Sequence, residues 1–358
     1  MPSLPTRPEF HCPDGDTLHS LRVKTPIVAV DLAQLRHLAR ALGKAHAACR
    51  LDWLPKTCWA GVPAVTEAFR DAGAAGITCD SLHEAQAAVN ALSRTVTILL
   101  PPVVGDGPTQ LATLARRAAV SVVVDHFAQA ERLATTCQAT LSKIDLLLRV
   151  DVGRERLGVR PGPDLHDLAC GLAGLPGVRM AGIAVEITTA ESNGVSSLRP
   201  AELVRVLARC RTSLMRAGFP AEVVSVSRLA DVDDEDDQHR PRATQARTAL
   251  PDGPGSPFFV VAGVIGRPTR NQAVIDAGRE WLGDAASVLG PSSRHARLMA
   301  IEDGFAVLHL QRAGHGLVIG DTVALAPTRP LRAPASLVLL DDVHGWRTEP
   351  TGVFADTR

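Results

Sequence analysis

Lys56 closes the apolar run Leu51-Asp52-Trp53-Leu54-Pro55-Lys56-Thr57. A helix-like stretch from Pro63 to Ala74 follows, then a second apolar run, Gly76-Ile77-Thr78-Cys79-Asp80. A strand with a lysine at its C-terminal tip, then a helix, is how a βα barrel begins. In such barrels the chemistry collects at the C-terminal ends of the strands. A lysine desolvated there attacks carbonyls as a neutral amine and forms a Schiff base. The position equally suits a solvated lysine whose stem packs on the barrel rim. Cys58 differs from the other cysteines in lying two residues beyond Lys56, which makes it a second candidate catalytic residue. Tyrosine is absent from the chain, so no acid–base role can fall to a phenol.

These residues need a scaffold, and the chain alternates strand-like and helix-like runs, the mark of a parallel α/β fold. Strands are expected near 27–31, 54–57, 76–79, 96–100, 120–124, 144–150, 179–186 and 222–227, which gives the eight a closed barrel needs. Helices fit between them at 32–47, 108–118, 127–140, 163–174 and 200–217, with Asp31 placed to cap the first. No Gly-x-Gly-x-x-Gly turn follows the first strand, which argues against a dinucleotide-binding sheet. The expected organisation is a (β/α)8 TIM-type barrel over 25–230, then an acidic, Gly- and Pro-containing linker over 231–256. A C-terminal β domain over 257–358, joined by residues 1–24, completes it. Within the linker, Asp231-Val232-Asp233-Asp234-Glu235-Asp236-Asp237 reads as a solvated loop, since it lacks the glycine and spacing of a calcium loop. Short β-like runs at 258–264, 272–276, 306–310, 322–325 and 335–339 suggest a small barrel or sandwich.

Composition narrows the function classes. The chain has 358 residues, 46% of them hydrophobic, enough for a barrel and a second core. Lys+Arg and Asp+Glu each total 38, so no basic face for nucleic acid is implied. No apolar run approaches the roughly 20 residues that span a bilayer. The N-terminal residues lack a secretory h-region, so a cytoplasmic protein is expected. The seven cysteines include no CxxC pair or tight Cys/His cluster, which makes structural zinc unexpected.

The segment from Leu54 to Gln86 resembles the lysine segment of the fold-type III (alanine racemase-like) pyridoxal-phosphate enzymes, closest to their D-threonine aldolase and D-serine dehydratase branch. The matching residues are Lys56-Thr57, the run Ala72-Gly73-Ala74-Ala75-Gly76-Ile77, and Glu84-Ala85. Asp151-Val152-Gly153-Arg154-Glu155-Arg156-Leu157-Gly158-Val159 resembles the family's Asp-Val-Gly-x-x-Arg-x-Gly-Val. Asp276-Ala277-Gly278 and Gly320-Asp321-Thr322-Val323-Ala324-Leu325-Ala326-Pro327 resemble motifs of its C-terminal domain. The resemblance implies that Lys56 carries pyridoxal phosphate and that Arg156 faces its ring, where a permanent cation disfavours protonation of the pyridine nitrogen. It also implies an amino-acid substrate and a homodimer that completes its sites across subunits.

The departures bear on mechanism. Asp52-Trp53-Leu54 stands near the usual Arg-Pro-His, Cys58-Trp59 replaces His-Lys, and Glu302-Asp303-Gly304 replaces Glu-His-Gly. Where the branch has a Gly-Gly-Thr phosphate loop, this chain has Ser225-Val226-Ser227-Arg228-Leu229, so Ser227 and Arg228 are the candidate phosphate ligands, through side chains. The metal-binding His and Cys or Asp positions are Arg329 and Leu331, neither with a ligand atom. A divalent metal is therefore not expected there, and Arg329 becomes a candidate for a substrate carboxylate. Three functions compete. One is a pyridoxal-phosphate lyase of aldolase or dehydratase type on a small β-hydroxy amino acid. Another is a racemase or epimerase on the same cofactor, which needs acid and base on both faces of the α-carbon without tyrosine. The last is a non-catalytic descendant with weakened or lost cofactor binding.

Overall fold

The computed structural model describes residues 12–153, 157–186, 200–227, 243–250, 255–311, 317–328, 336–341 and 345–350. They form two compact units. Unit 1 runs from Ala39 to Ala249, and unit 2 combines Pro2–Leu38 with Leu250–Arg358.

In chain order the helices are α1 (Gly15–Ser20), α2 (Leu32–Ala48), α3 (Pro63–Asp71), α4 (Leu82–Asn90), α5 (Gly107–Leu114), α6 (Phe127–Ala139), α7 (Pro163–Leu172), α8 (Pro200–Arg216) and α9 (Arg279–Leu282). Strand β1 (Ile27–Asp31) precedes the barrel. The barrel is β2 (Asp52–Lys56), β3 (Ile77–Cys79), β4 (Thr95–Ile98), β5 (Ala119–Val124), β6 (Ile144–Arg149), β7 (Val178–Val185), β8 (Val223–Ser227) and β9 (Ala243–Ala249). These eight strands close in sequence order, each parallel to the next, and β9 pairs with β2. The expected TIM-type barrel is thus present.

Its strands differ from expectation at both ends. Strand β1 is outside the barrel and lies in the sheet of unit 2, antiparallel to β10 (Phe258–Thr269) and parallel to β16 (Ser336–Asp341). A buried apolar strand followed by a capped helix looks alike in either setting, because pairing partners are not a local property. Asp31 does cap α2, accepting from the Gln34 N–H at 2.9 Å. The eighth barrel strand is β9, inside the segment expected to be linker. Its sequence, Ala-Thr-Gln-Ala-Arg-Thr-Ala, sets Gln245 and Arg247 at lumen-facing positions among alanines and threonines, so no continuous apolar run marks it. The acidic run 231–237 lies outside the described residues.

The barrel wall follows from side-chain alternation. Trp53, 1% exposed, faces outward, stacked on His46 of α2 at 5.8 Å and meeting Phe69 of α3 edge-on at 5.9 Å. Outward apolar residues such as Ile98, Val122 and Leu146 are also buried. Burial on both faces is what makes a parallel strand read as a continuous apolar run. Leu54 and Lys56, on either side of Pro55, therefore face the lumen.

Unit 2 is a nine-stranded sheet. Besides β1, β10 and β16 it holds β11 (Gln272–Ile275), β12 (Ala286–Val288), β13 (Ala296–Ile301), β14 (Ala306–Leu310), β15 (Thr322–Pro327) and β17 (Gly345–Pro350). Strand β10 buries both faces: Val260, Ala262 and Val264 join one cluster with Ile275, Leu308 and Leu325, while Phe259 and Val261 join another with Ile27, Ala29 and Val338. Asp276 of the Asp-Ala-Gly motif ties this unit together. Its carboxylate accepts from the Gly263 N–H at 2.8 Å and the Thr25 hydroxyl at 2.5 Å.

Candidate active site

Directly paired strand residues share a face, so the register maps the lumen from Lys56 outward. Lys56 pairs with Thr78, and Thr78 with Thr97. On the other side Leu54 pairs with Arg247, and Arg247 with Ser227. Ser225 pairs with Gln245 and Ala184, and Ala184 with Arg149. The C-terminal end of the barrel thus gathers Lys56, Thr78, Arg149, Ser225, Ser227 and Arg247 around one lumen. Arg247 lies one inward layer deeper than Lys56, since it pairs two residues earlier on β2.

The two layers differ in solvation. The Lys56 side chain is 36% exposed and that of Asp80 49%, and Lys56 Nζ lies 2.8 Å from Asp80 Oδ1. The amine is therefore at an open mouth, held by a carboxylate just beyond β3. Ser81 caps α4, its hydroxyl accepting from the Glu84 N–H at 3.3 Å, while Glu84 Oε2 accepts from the Asp80 N–H at 2.8 Å. This capping arrangement positions Asp80. Burial pushes the Glu84 carboxyl up, against the Asp80 N–H bond and the Lys56 ammonium, which favour its charged form. Thr57 turns the chain after Lys56, its buried hydroxyl accepting from the Trp59 N–H at 3.1 Å.

Deeper in the lumen, Arg149 is 5% exposed and Arg247 2%. Arg247 Nη1 lies 3.3 Å from Glu186 Oε1, and Nη2 donates to the Val185 carbonyl. Burial, with Arg149 acting in the same direction and Glu186 opposing, brings the Arg247 guanidinium down to about 10. Arg149 Nη2 donates to the Leu99 carbonyl. Both Nε atoms, the Thr78 and Ser225 hydroxyls and Gln245 Oε1 are buried without a partner among the described residues.

The Asp151–Val159 motif closes a loop on the end of β6. Asp151 N–H donates to the Val159 carbonyl at 2.8 Å, and Val159 N–H to the Arg149 carbonyl at 2.9 Å. Gly158 takes φ +110°, and a Cβ there would sit 2.8 Å from the Asp151 nitrogen, so the motif's second glycine is a steric requirement.

Of the residues singled out from sequence, Lys56 stands at the mouth, and Ser227 ends β8 in register with lumen-facing Arg247. Cys58 is half-buried in the turn after β2. Arg156, Arg228, Arg329 and Leu331 lie outside the described residues. Asp80, Arg149, Glu186 and Arg247 were not anticipated. For Asp80, Arg149 and Glu186 the signal was a charged residue ending or following an apolar barrel strand, as in Ile144–Arg149.

Residues 30–232 match the alanine racemase N-terminal domain model. The chain belongs to the alanine racemase N-terminal domain family. This is the fold-type III pyridoxal-phosphate group that the motifs resemble. Over 351 residues the chain is 27% identical to a D-threonine aldolase of Arthrobacter sp., covering 88% of this chain and 87% of that one. The structure of D-threonine aldolase from Filomicrobium marinum superposes with a TM-score of 0.75 at 21% identity, over 92% of this chain and 95% of that one. D-threo-3-hydroxyaspartate dehydratase from Delftia sp. HT23 gives 0.73 at 19%, over 92% and 98%. These two structures share the fold of this chain. No helix among the described residues is long and apolar enough to cross a membrane.

Proposed function

We propose that the protein is a pyridoxal-phosphate-dependent lyase of aldolase or dehydratase type, acting on a small β-hydroxy amino acid, with Lys56 as the cofactor-bearing residue. The observation that carries this reading is the Lys56 amine, open to solvent at the barrel mouth and 2.8 Å from Asp80. The residues fit the group. An accessible amine meets the aldehyde, and the unpartnered Nε of Arg247 offers a buried donor beneath it. Ser227, with Arg228 next in sequence, offers side-chain donors to the phosphate in place of a glycine loop.

When bound, pyridoxal phosphate supplies an electron sink for the pair left as a bond at the α-carbon breaks. The chain's residues do the rest. With the cofactor in place, Lys56 Nζ would hold or return the proton taken from the substrate, and Asp80 Oδ1, 2.8 Å away, would keep the resulting ammonium in place. Arg149 and Arg247 make the lumen cationic, which disfavours protonation of a nearby basic ring nitrogen. Arg156 acts in the same sense, and Arg329 holds the substrate carboxylate. Cys58 is a further candidate acid or base beside the amine. The active form is a cytoplasmic homodimer.

The test is incubation with D- and L-β-hydroxy amino acids and pyridoxal phosphate. Glycine plus an aldehyde reports cleavage, and a keto acid plus ammonia reports dehydration. We expect one of these product pairs, lost in Lys56→Ala and insensitive to a chelator, because Arg329 and Leu331 offer no metal ligand. Turnover retained by Lys56→Ala, or no product from any such substrate, would sink the reading.

A further inference from the structure

The end of the barrel away from Lys56 carries its own pocket. Lys56 is the last residue of β2, whereas the residues just ahead of β3 and β4 line a pocket of about 500 Å³ at the N-terminal ends of those strands, bordered by α3 and α4. A Cβ on Gly76 would lie 2.9 Å from the Thr95 carbonyl oxygen, so a bare glycine lets the turn after α3 lie against the start of β4. Backbone hydrogen bonds fix the opposite wall. After α4, Leu92 takes φ +69°, and the Ser93 N–H donates to the Ala88 carbonyl at 2.9 Å, which closes the helix end. The Ser93 hydroxyl donates to the Thr95 carbonyl at 3.1 Å, and the Ala119 N–H to the Arg94 carbonyl at 2.9 Å. Arg117 Nη2 donates to Asn90 Oδ1 at 2.9 Å, tying the chain after α5 to the last residue of α4. The lining divides by chemistry. Ala75, Gly76, Ile77 and Val89 are its apolar part, with Leu92 beside them 72% exposed. Arg70, Arg94 and Arg117 supply three guanidiniums, and among the described residues no carboxylate lines the pocket. Arg70 is held by Glu67 at 3.2 Å and Asp71 at 3.5 Å. Arg94 and Arg117 pair with no carboxylate among the described residues, which leaves two positive charges uncompensated. Such guanidiniums are forks for phosphate oxygens. A pocket of this size, apolar with a few polar groups, suits a small organic ligand.

We propose that this pocket binds a small phosphate monoester, its phosphate between Arg94 and Arg117 and its apolar body against Ile77, Val89 and Leu92. Two uncompensated guanidiniums match the roughly two negative charges of a phosphate monoester at neutral pH, where a carboxylate brings one. The apolar lining selects an ester over free phosphate. Leu92 holds an open apolar side chain on backbone that favours glycine, and the body of such a ligand covers it. The site does not depend on the Schiff-base reading, because it lies at the other end of the barrel and uses none of the residues assigned to the cofactor or substrate.

The experiment is calorimetric titration of the purified full chain with butyl phosphate at low ionic strength, with inorganic phosphate and butyrate titrated alongside. Wild type and Lys56→Ala should bind butyl phosphate equally, and wild type should bind the other two anions more weakly. Arg94→Gln and Arg117→Gln should each bind it at least about ten-fold more weakly, the loss of one charge-assisted hydrogen bond. Both arginines are exposed, so these variants should melt as wild type does. Leu92→Gly should melt no lower than wild type, because glycine suits φ +69°, yet lose several-fold in affinity for butyl phosphate and none for inorganic phosphate. The proposal is overturned if wild type takes up no butyl phosphate, a result that needs no variant to fold. It is equally overturned if Arg94→Gln and Arg117→Gln bind as tightly as wild type. Binding lost in Lys56→Ala and kept in the arginine variants would place the ester at the barrel mouth and overturns this pocket. Butyrate or inorganic phosphate binding as tightly as the ester overturns the assignment of the ligand. Loss of turnover in Lys56→Ala with ester binding intact separates this proposal from the Schiff-base reading.

Discussion

At Arg247 a guanidinium 98% removed from solvent is balanced by Glu186, whose side chain keeps 32% of its exposure. The two halves of this pair are not equivalent. Glu186→Ala leaves the cation buried and unpaired, and should cost about 3 kcal/mol, the lower end of the range for breaking a buried pair because Glu186 is partly solvated. Arg247→Met leaves a carboxylate that water can reach, and should cost less. Urea unfolding of the two variants decides the order, and an equal or reversed cost would mean the pair is not a buried one. Glu84 makes a pH prediction. Its folded pKa is raised by burial, so it favours folding fully below the unfolded carboxylate range near 4.5 and loses that contribution as pH rises through the folded value. Glu84→Gln keeps an oxygen for the Asp80 N–H and is never charged. It should gain on wild type at neutral pH, with the gap closing as pH falls toward 4.5. A gap constant with pH, read from denaturation midpoints, would contradict this.

Among the elements, β7 and β8 approach closely because Gly182 has no side chain. A Cβ there would lie 1.9 Å from the Val223 carbonyl oxygen, a backbone atom that cannot swing away. Gly182→Ala should therefore cost about 3 kcal/mol or more, the upper end for overpacking, and a variant as stable as wild type in urea would mean this pair of strands is wrongly placed. The elements also show where sequence reading works. Strands β2 to β8 were legible because both faces are largely buried, so most of their residues are apolar. Strand β9 was not, because Gln245 and Arg247 fill its lumen-facing positions with the polar residues that the barrel floor uses. Lys56 was legible as the last residue of a strand, whereas Arg247 stood in a segment with no apolar run to flag it.

For the whole molecule, two stretches of chain far apart in sequence build unit 2. Strand β1, from near the N-terminus, lies between β10 and β16. That arrangement was invisible locally, since a strand followed by a helix fits a barrel equally well. Removing residues 1–38 should strip the middle strand from unit 2 and leave residues beyond 250 open to proteolysis. Limited digestion that still returns an intact C-terminal fragment would contradict the pairing. The central claim concerns the barrel mouth, where the amine of Lys56 is the group that captures the cofactor. The most direct measurement is the absorption spectrum of the purified protein with pyridoxal phosphate, before and after borohydride, with peptide mapping of the reduced product. A band near roughly 410–430 nm that reduction fixes onto Lys56, and that Lys56→Ala lacks, is the result expected. A folded protein with no band, or with the label on another lysine, would contradict it.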